Sequence, residues 1–165
     1  MNILFPTVVR LFFSLVILIS PFWGVVISAL IDGFDVYLHD FPGIANFPNY
    51  QYWDKTLDTF YLTMAFITSL YWKNKTARNL SLFFYSIRVI GVFLFTFTLS
   101  RCWLFFFPNI FEYYFLSYLG YRGLFKKEPL KSKGFFGLFL ILVILKLSQE
   151  FILHYEKFEF WKWFK

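Results

Sequence analysis

Cysteine is almost absent: Cys102 is the only one in 165 residues. That excludes an internal disulfide and any cysteine-built zinc or iron–sulfur cage. Histidine is nearly as rare, and His39 and His154 are isolated from each other in the chain, so neither belongs to a zinc motif. Charge is scarce too, at 16% of residues, where soluble domains carry about 25%. No glycine-rich phosphate loop, nucleophile elbow or His-Glu-x-x-His stretch occurs.

What the chain has in abundance is apolar sequence. It is 59% hydrophobic with a mean hydropathy of +0.58, and its apolar residues come in long blocks rather than in alternation. Blocks of that kind are the pattern of spanning helices. The sequence therefore predicts an all-α protein: a polytopic membrane helical bundle of about five transmembrane or membrane-inserted helices, with residues 1–165 forming a single integral membrane domain. The 27 phenylalanines fit an AT-rich coding sequence, bacterial or organellar, and a bacterial inner membrane or an organellar membrane is the expected location. The net charge of +6 points to no nucleic-acid partner, because the basic residues cluster in short loops between apolar runs. There they act as a topology signal and leave the lipid bilayer as the expected partner.

Taken in order, Arg10 ends a short lead, and Leu11–Ile31 runs without a charge, interrupted by Pro21 and Gly24. This run reads as one helix kinked near Pro21. A loop over 36–53 follows, with Tyr52 and Trp53 as interfacial anchors. Leu57–Trp72 and Leu80–Ser100 are the next two runs, joined by the basic segment 73–78. Residues 101–120 form a fourth run, broken at Pro108-Asn109, that either spans with a kink or re-enters. The linker 122–133 holds Arg122, Lys126, Lys127, Lys131 and Lys133, and Gly134–Ile152 is the last run. The positive-inside rule then puts both basic loops and the N-terminus in the cytoplasm and the acidic 32–58 region on the opposite side.

That acidic region is the functional lead. Asp32 and Asp35 are spaced i,i+3, and Asp54 and Asp58 are spaced i,i+4, so on helix ends each pair shares one face. Converging carboxylates repel unless a cation stands among them. Lys55 is the sole basic residue between Asp32 and Asp58. A divalent ion, Mg²⁺ or Mn²⁺, is the expected compensation, with Asp32, Asp35, Asp54 and Asp58 as hard oxygen ligands. The competing reading is that these residues cap helices and face water. Asp54 fits that reading near a helix N-terminus, whereas Asp32 and Asp35 at a helix C-terminus oppose the macrodipole.

The arrangement Asp32-x-x-Asp35, then eighteen residues, then Asp54-x-x-x-Asp58 resembles the metal site of the CDP-alcohol phosphatidyltransferases. The resemblance covers residues 32–58 and rests on the aspartates, with Val36 and Tyr50 standing where that family has glycine. It implies that the four aspartates bind two divalent ions and that Asp58, the last of them, is the catalytic base toward an alcohol.

Arg88 lies inside the third run, about 12 Å along it by helical rise. A charge at such depth either binds an anionic group of a substrate or pairs inward, with Glu112 or Glu150 as the expected partner. Arg101, near an interface, is the second candidate for substrate phosphate and can also snorkel. Asn109 and Glu112 either line a polar cavity at the proline break or accompany a simple kink. Lys146, Glu150 and His154 form an i,i+4,i+8 stripe that is either a relay or a wetted helix end. The leading functional expectation is a small membrane enzyme using carboxylate-bound divalent metal on a phosphate-bearing or lipidic substrate. The alternatives are a transport or ion-conducting subunit and a structural subunit of a larger membrane complex.

Overall fold

A computed structural model of the protein describes residues 4–38, 50–100 and 102–154, with side chains over 4–33, 51–100 and 102–148. All regular structure among the described residues is helical, so the all-α expectation holds. The helices are α1 (Leu4–Val16), α2 (Pro21–Leu38), α3 (Tyr50–Ser69), α4 (Lys75–Thr98), α5 (Cys102–Phe106), α6 (Ile110–Phe125) and α7 (Lys133–His154), with a 3₁₀ turn at Pro129–Lys131. They form two compact units, Met1–Arg78 and Asn79–Lys165.

In the first unit, the expected single helix over Leu11–Ile31 is two helices. Proline has no N–H to donate, and it disfavours helical geometry in the residue before it. The end of α1 accordingly tightens to i→i−3 bonds, Ile17 to Ser14, Leu18 to Leu15 and Ile19 to Val16. Ser20 then accepts the first bond of a new helix from Gly24 N–H at 2.7 Å, and Pro21 takes the first helical position, where its missing N–H is no loss. The proline starts a helix rather than kinking one. The chain folds back, so that Gly24 on α2 lies directly against Ile17, in the turn just past α1. Seven residues back from Ile17 and eight on from Gly24 lead to Arg10 and Asp32, which also meet, so α1 and α2 run antiparallel. Trp53 Nε1 donates to Thr7 Oγ1 at 2.9 Å, holding the start of α3 beside α1. Ile17, Val25, Leu57, Tyr61, Leu62 and Ala65 fill the centre.

The second unit is joined by aromatic rings. Phe84 on α4 meets Tyr114 on α6 at 5.3 Å between centroids and Phe139 on α7 at 5.8 Å. Phe135 touches Tyr118 and Tyr121 and stacks on Phe139. Such ring pairs add about 0.5–1.5 kcal/mol each beyond their burial. The expected break at Pro108-Asn109 is present between α5 and α6. Asn109 caps α6, accepting from Glu112 N–H at 3.4 Å and donating from Nδ2 to Glu112 Oε2 at 2.7 Å. Asn109 and Glu112 thus mark a capped helix start. Lys126 ends α6 in a left-handed conformation, φ 51°.

Among the described residues, α4 alone is long and apolar enough to cross a membrane, and only 22% of its apolar window is buried within the protein. Leu4–Val16 and Pro21–Gly33 are apolar but shorter, below the about 20 residues a span needs.

The antiparallel contact yields a paired test. A Cβ at Gly24 would stand 2.6 Å from both Cα and N of Ile17, so Gly24→Ala should lower unfolding free energy by about 1–3 kcal/mol through overpacking. Gly33→Ala, with nothing within 4 Å, should raise it by up to about 1 kcal/mol through helix propensity. Thermal denaturation of the two variants side by side checks both signs.

Candidate functional site

Three of the four aspartates converge. Asp32 comes from the later part of α2, and Asp54 and Asp58 come from the first turns of α3, which begins at Tyr50, before Asp54, rather than near Leu57. Carboxylate oxygens of Asp32, Asp54 and Asp58 all lie within 4.8 Å of one another, close enough to hold a metal ion. Asp35 belongs to α2, and its side chain lies outside the described residues.

The cation that sequence reasoning missed is Arg10. Its Nη1 donates to Asp54 Oδ1 at 3.0 Å, and its Nη2 donates to Asp58 Oδ1 at 2.7 Å and to Asp32 Oδ1. Lys55 Nζ closes the other side, 2.8 Å from Asp54 Oδ2 and 2.8 Å from Asp58 Oδ2. Asp54 and Asp58 therefore each hold Arg10 with one oxygen and Lys55 with the other. Arg10 is 5% exposed, and its guanidinium also lies 5.5 Å from the Trp53 ring. One turn on, Ser14 Oγ donates to the Arg10 carbonyl at 2.6 Å.

Among the described side chains, two cations against three carboxylates leave one excess negative charge. Of these cations Asp32 is held by Arg10 alone, whereas Asp54 and Asp58 each hold both. Burial pushes the Asp32 carboxyl up, to about 8; the neighbouring Asp58 charge adds to the push, and Arg10 opposes it. A hydrogen bond with Asp58 favours the protonated form further. With a proton on Asp32, the five described side chains balance electrically. The centre has two chemical capacities. It can bind and release one proton, or, with Arg10 and Lys55 turned aside, present three hard oxygens to a cation.

Arg10 was legible in one respect. It is the one charged residue in positions 1–31, and a lone charge among apolar residues calls for a partner. Reading Leu11–Ile31 as one helix placed Arg10 at the far end from Asp32, on the opposite side of a bilayer. The fold-back puts the two at the same end of the α1–α2 pair, so Arg10 is the counter-charge of the acidic residues and cannot mark an opposite face.

The other candidates lie elsewhere. Arg88 is buried in α4, and its Nη1 reaches the Phe107 carbonyl at 3.5 Å. Among the described residues it makes no ion pair, so the expected pairing with Glu112 is not formed, and Glu112 caps α6 instead. Arg101 and the side chain of Glu150 lie outside the described residues, as does that of His154. Lys146 Nζ sits 5.8 Å from the Tyr113 ring. Compared with protein-family models, curated proteins and solved structures, the chain matches none.

The geometry makes Arg10 the hub of the first unit. Arg10→Met leaves its carboxylates facing one another, and loss of one member of a buried ion pair costs about 3–5 kcal/mol. Unfolding measurements on Arg10→Met, Asp58→Asn and the double variant should show a double loss well below the sum of the singles. Strict additivity would mean that the two side chains do not meet.

Proposed function

We propose that the chain is a small integral membrane protein of the transport or ion-conducting class, in which the Arg10–Asp32–Asp54–Lys55–Asp58 centre exchanges one proton at Asp32. The observation that carries this reading is the guanidinium of Arg10 bonded to all three carboxylates. It supplies from within the chain the compensation that a divalent ion would otherwise provide, and with Lys55 it leaves one negative charge in excess among the described side chains. A single protonatable charge among paired ionisable groups is what proton relays in membrane proteins use.

The membrane setting is supported by α4. A helix this apolar in the core of a water-soluble domain would be mostly buried, whereas α4 exposes Leu82, Phe83, Ile90, Phe93 and Phe97. α7 likewise exposes Phe136, Leu138, Leu140, Ile141, Ile144 and Leu145. Apolar area on this scale is stable facing lipid and unfavourable facing water.

A second reading, the metal-dependent enzyme, is favoured by the 4.8 Å convergence of carboxylate oxygens. In it Mg²⁺ or Mn²⁺ displaces Arg10 and Lys55 and takes Asp32, Asp54 and Asp58 as ligands, with Asp58 also placed to accept a proton from an attacking alcohol.

Acid and metal separate the two. Folded Asp32 keeps its proton up to a pH of about 8, and unfolded Asp32 releases it near 3.8. Between those values the folded chain binds the extra proton, so raising the pH favours unfolding. The thermal midpoint of the detergent-solubilised protein should therefore fall from pH 5 to pH 8, and Asp32→Asn should flatten that slope. Millimolar Mg²⁺ or Mn²⁺ should leave the midpoint unchanged, and proteoliposomes carrying a pH-sensitive dye should show a proton flux that Asp32→Asn abolishes. A midpoint that rises with metal and ignores pH selects the enzyme reading, because binding to the folded state stabilises it by mass action. A pH slope without any flux leaves the centre as a structural lock.

A further inference from the structure

Arg88 is the other buried charge, and it is arranged differently. It lies thirteen residues from the start of α4 and ten from its end, about 20 Å and 15 Å by helical rise, and is 6% exposed. A guanidinium cannot shed its charge by deprotonation, and it carries five N–H donors. Among the described residues Nη1 makes its one hydrogen-bond contact, a long 3.5 Å approach to the Phe107 carbonyl, beyond the usual range of a good N–H···O bond. Nε is fully buried with no hydrogen-bond partner. Among the described residues Nη2 has none either.

The edge without a hydrogen-bond partner among the described residues is the one formed by Nε and Nη2. Their N–H bonds run parallel, and they form the fork that accepts the two oxygens of a carboxylate or phosphate side by side. The neighbourhood holds that fork still. Gly91, on the same α4 face as Arg88, takes Phe107 so closely that a Cβ there would stand 2.4 Å from the Phe107 Cβ. The Phe107 carbonyl is thereby pinned against Nη1 at the end of α5, where Pro108 stops the helix. An unpaired cation at such depth costs several kcal/mol in an apolar setting, and Glu112, the nearest expected counter-charge, is engaged with Asn109.

We propose that Arg88 is an anion-binding residue, its Nε–Nη2 fork taking a phosphate group presented either by a phospholipid headgroup or by a soluble phosphate compound. The site lies wholly in the second unit and does not depend on the reading of the Arg10 centre.

The test uses the full chain in maltoside micelles, which carry no phosphate. The thermal midpoint is followed while phosphatidylglycerol, inorganic phosphate or diacylglycerol is added. The midpoint should rise with phosphatidylglycerol or with inorganic phosphate, and not with diacylglycerol. A response to the lipid alone assigns a headgroup, and a response to inorganic phosphate assigns a soluble ligand. Arg88→Gln should lose the response. Arg88→Lys, which keeps the charge without the fork, should need about tenfold more ligand or worse for half the rise, the ratio expected from one lost charge-assisted bond. No response to either phosphate source would overturn the proposal, as would an equal response in Arg88→Gln. A midpoint lowered alike by Arg88→Gln, Glu150→Gln and their double variant would also overturn it, because the fork would then be filled by Glu150 of the same chain.

Discussion

One guanidinium ties the N-terminal unit together. Arg10 on α1 reaches Asp32 on α2 and both Asp54 and Asp58 on α3, so its bonds set the level at which all three helices meet. The chain arranges everything else in this unit to allow that meeting. Pro21 ends one helix and starts the next, Gly24 lets the two backbones touch, and α3 starts early enough to bring Asp54 alongside. Such a centre is costly to assemble, since each ion gives up water. Well-packed apolar residues in its place are often as stable. What a charge centre of this kind adds is a fixed geometry and a site that can change its protonation.

The second unit is held in another way. Its interior contacts are aromatic, running from Phe84 through Tyr114 and Tyr118 to Phe135 and Phe139. These contacts give part of the plentiful phenylalanine a structural use. The phenylalanine rings stack and cross without polar groups to satisfy, which suits helices whose outer faces are themselves apolar, and Tyr118 turns its hydroxyl to Glu128 at 3.0 Å. Arg88 stands out against that background because its charge is not matched by an ion pair among the described residues.

Much of the fold could be read from hydrophobic blocks and proline. The all-helical class, the break at Pro108-Asn109 and the last helix follow from apolar runs that either continue for a helix length or stop at a proline. The division at Pro21 did not follow, because a proline within an apolar run is compatible with both a kink and a new helix. Only the close approach of Gly24 to Ile17, a tertiary fact, separates them. The convergence of Asp32 with Asp54 and Asp58 was legible from spacing on helix faces. Their partner was not, because Arg10 is 22 residues from Asp32 and 48 from Asp58, and no local period links such positions. With the counter-charge unseen, repulsion among the carboxylates argued for a metal. With Arg10 in place, the same electrostatics argues for a proton.

The central claim is that Arg10, rather than a metal ion, balances the three aspartates. Solid-state NMR on protein labelled with ¹⁵N-arginine and ¹³C-aspartate in lipid bilayers measures this directly. The account predicts dipolar contacts from the Arg10 Nη nitrogens to the carboxyl carbons of Asp32, Asp54 and Asp58, unchanged by added Mg²⁺, with the Asp32 carboxyl resonating as a protonated acid at neutral pH. Absence of those contacts, or their loss on adding Mg²⁺ while the three carboxyl signals shift together, would contradict it.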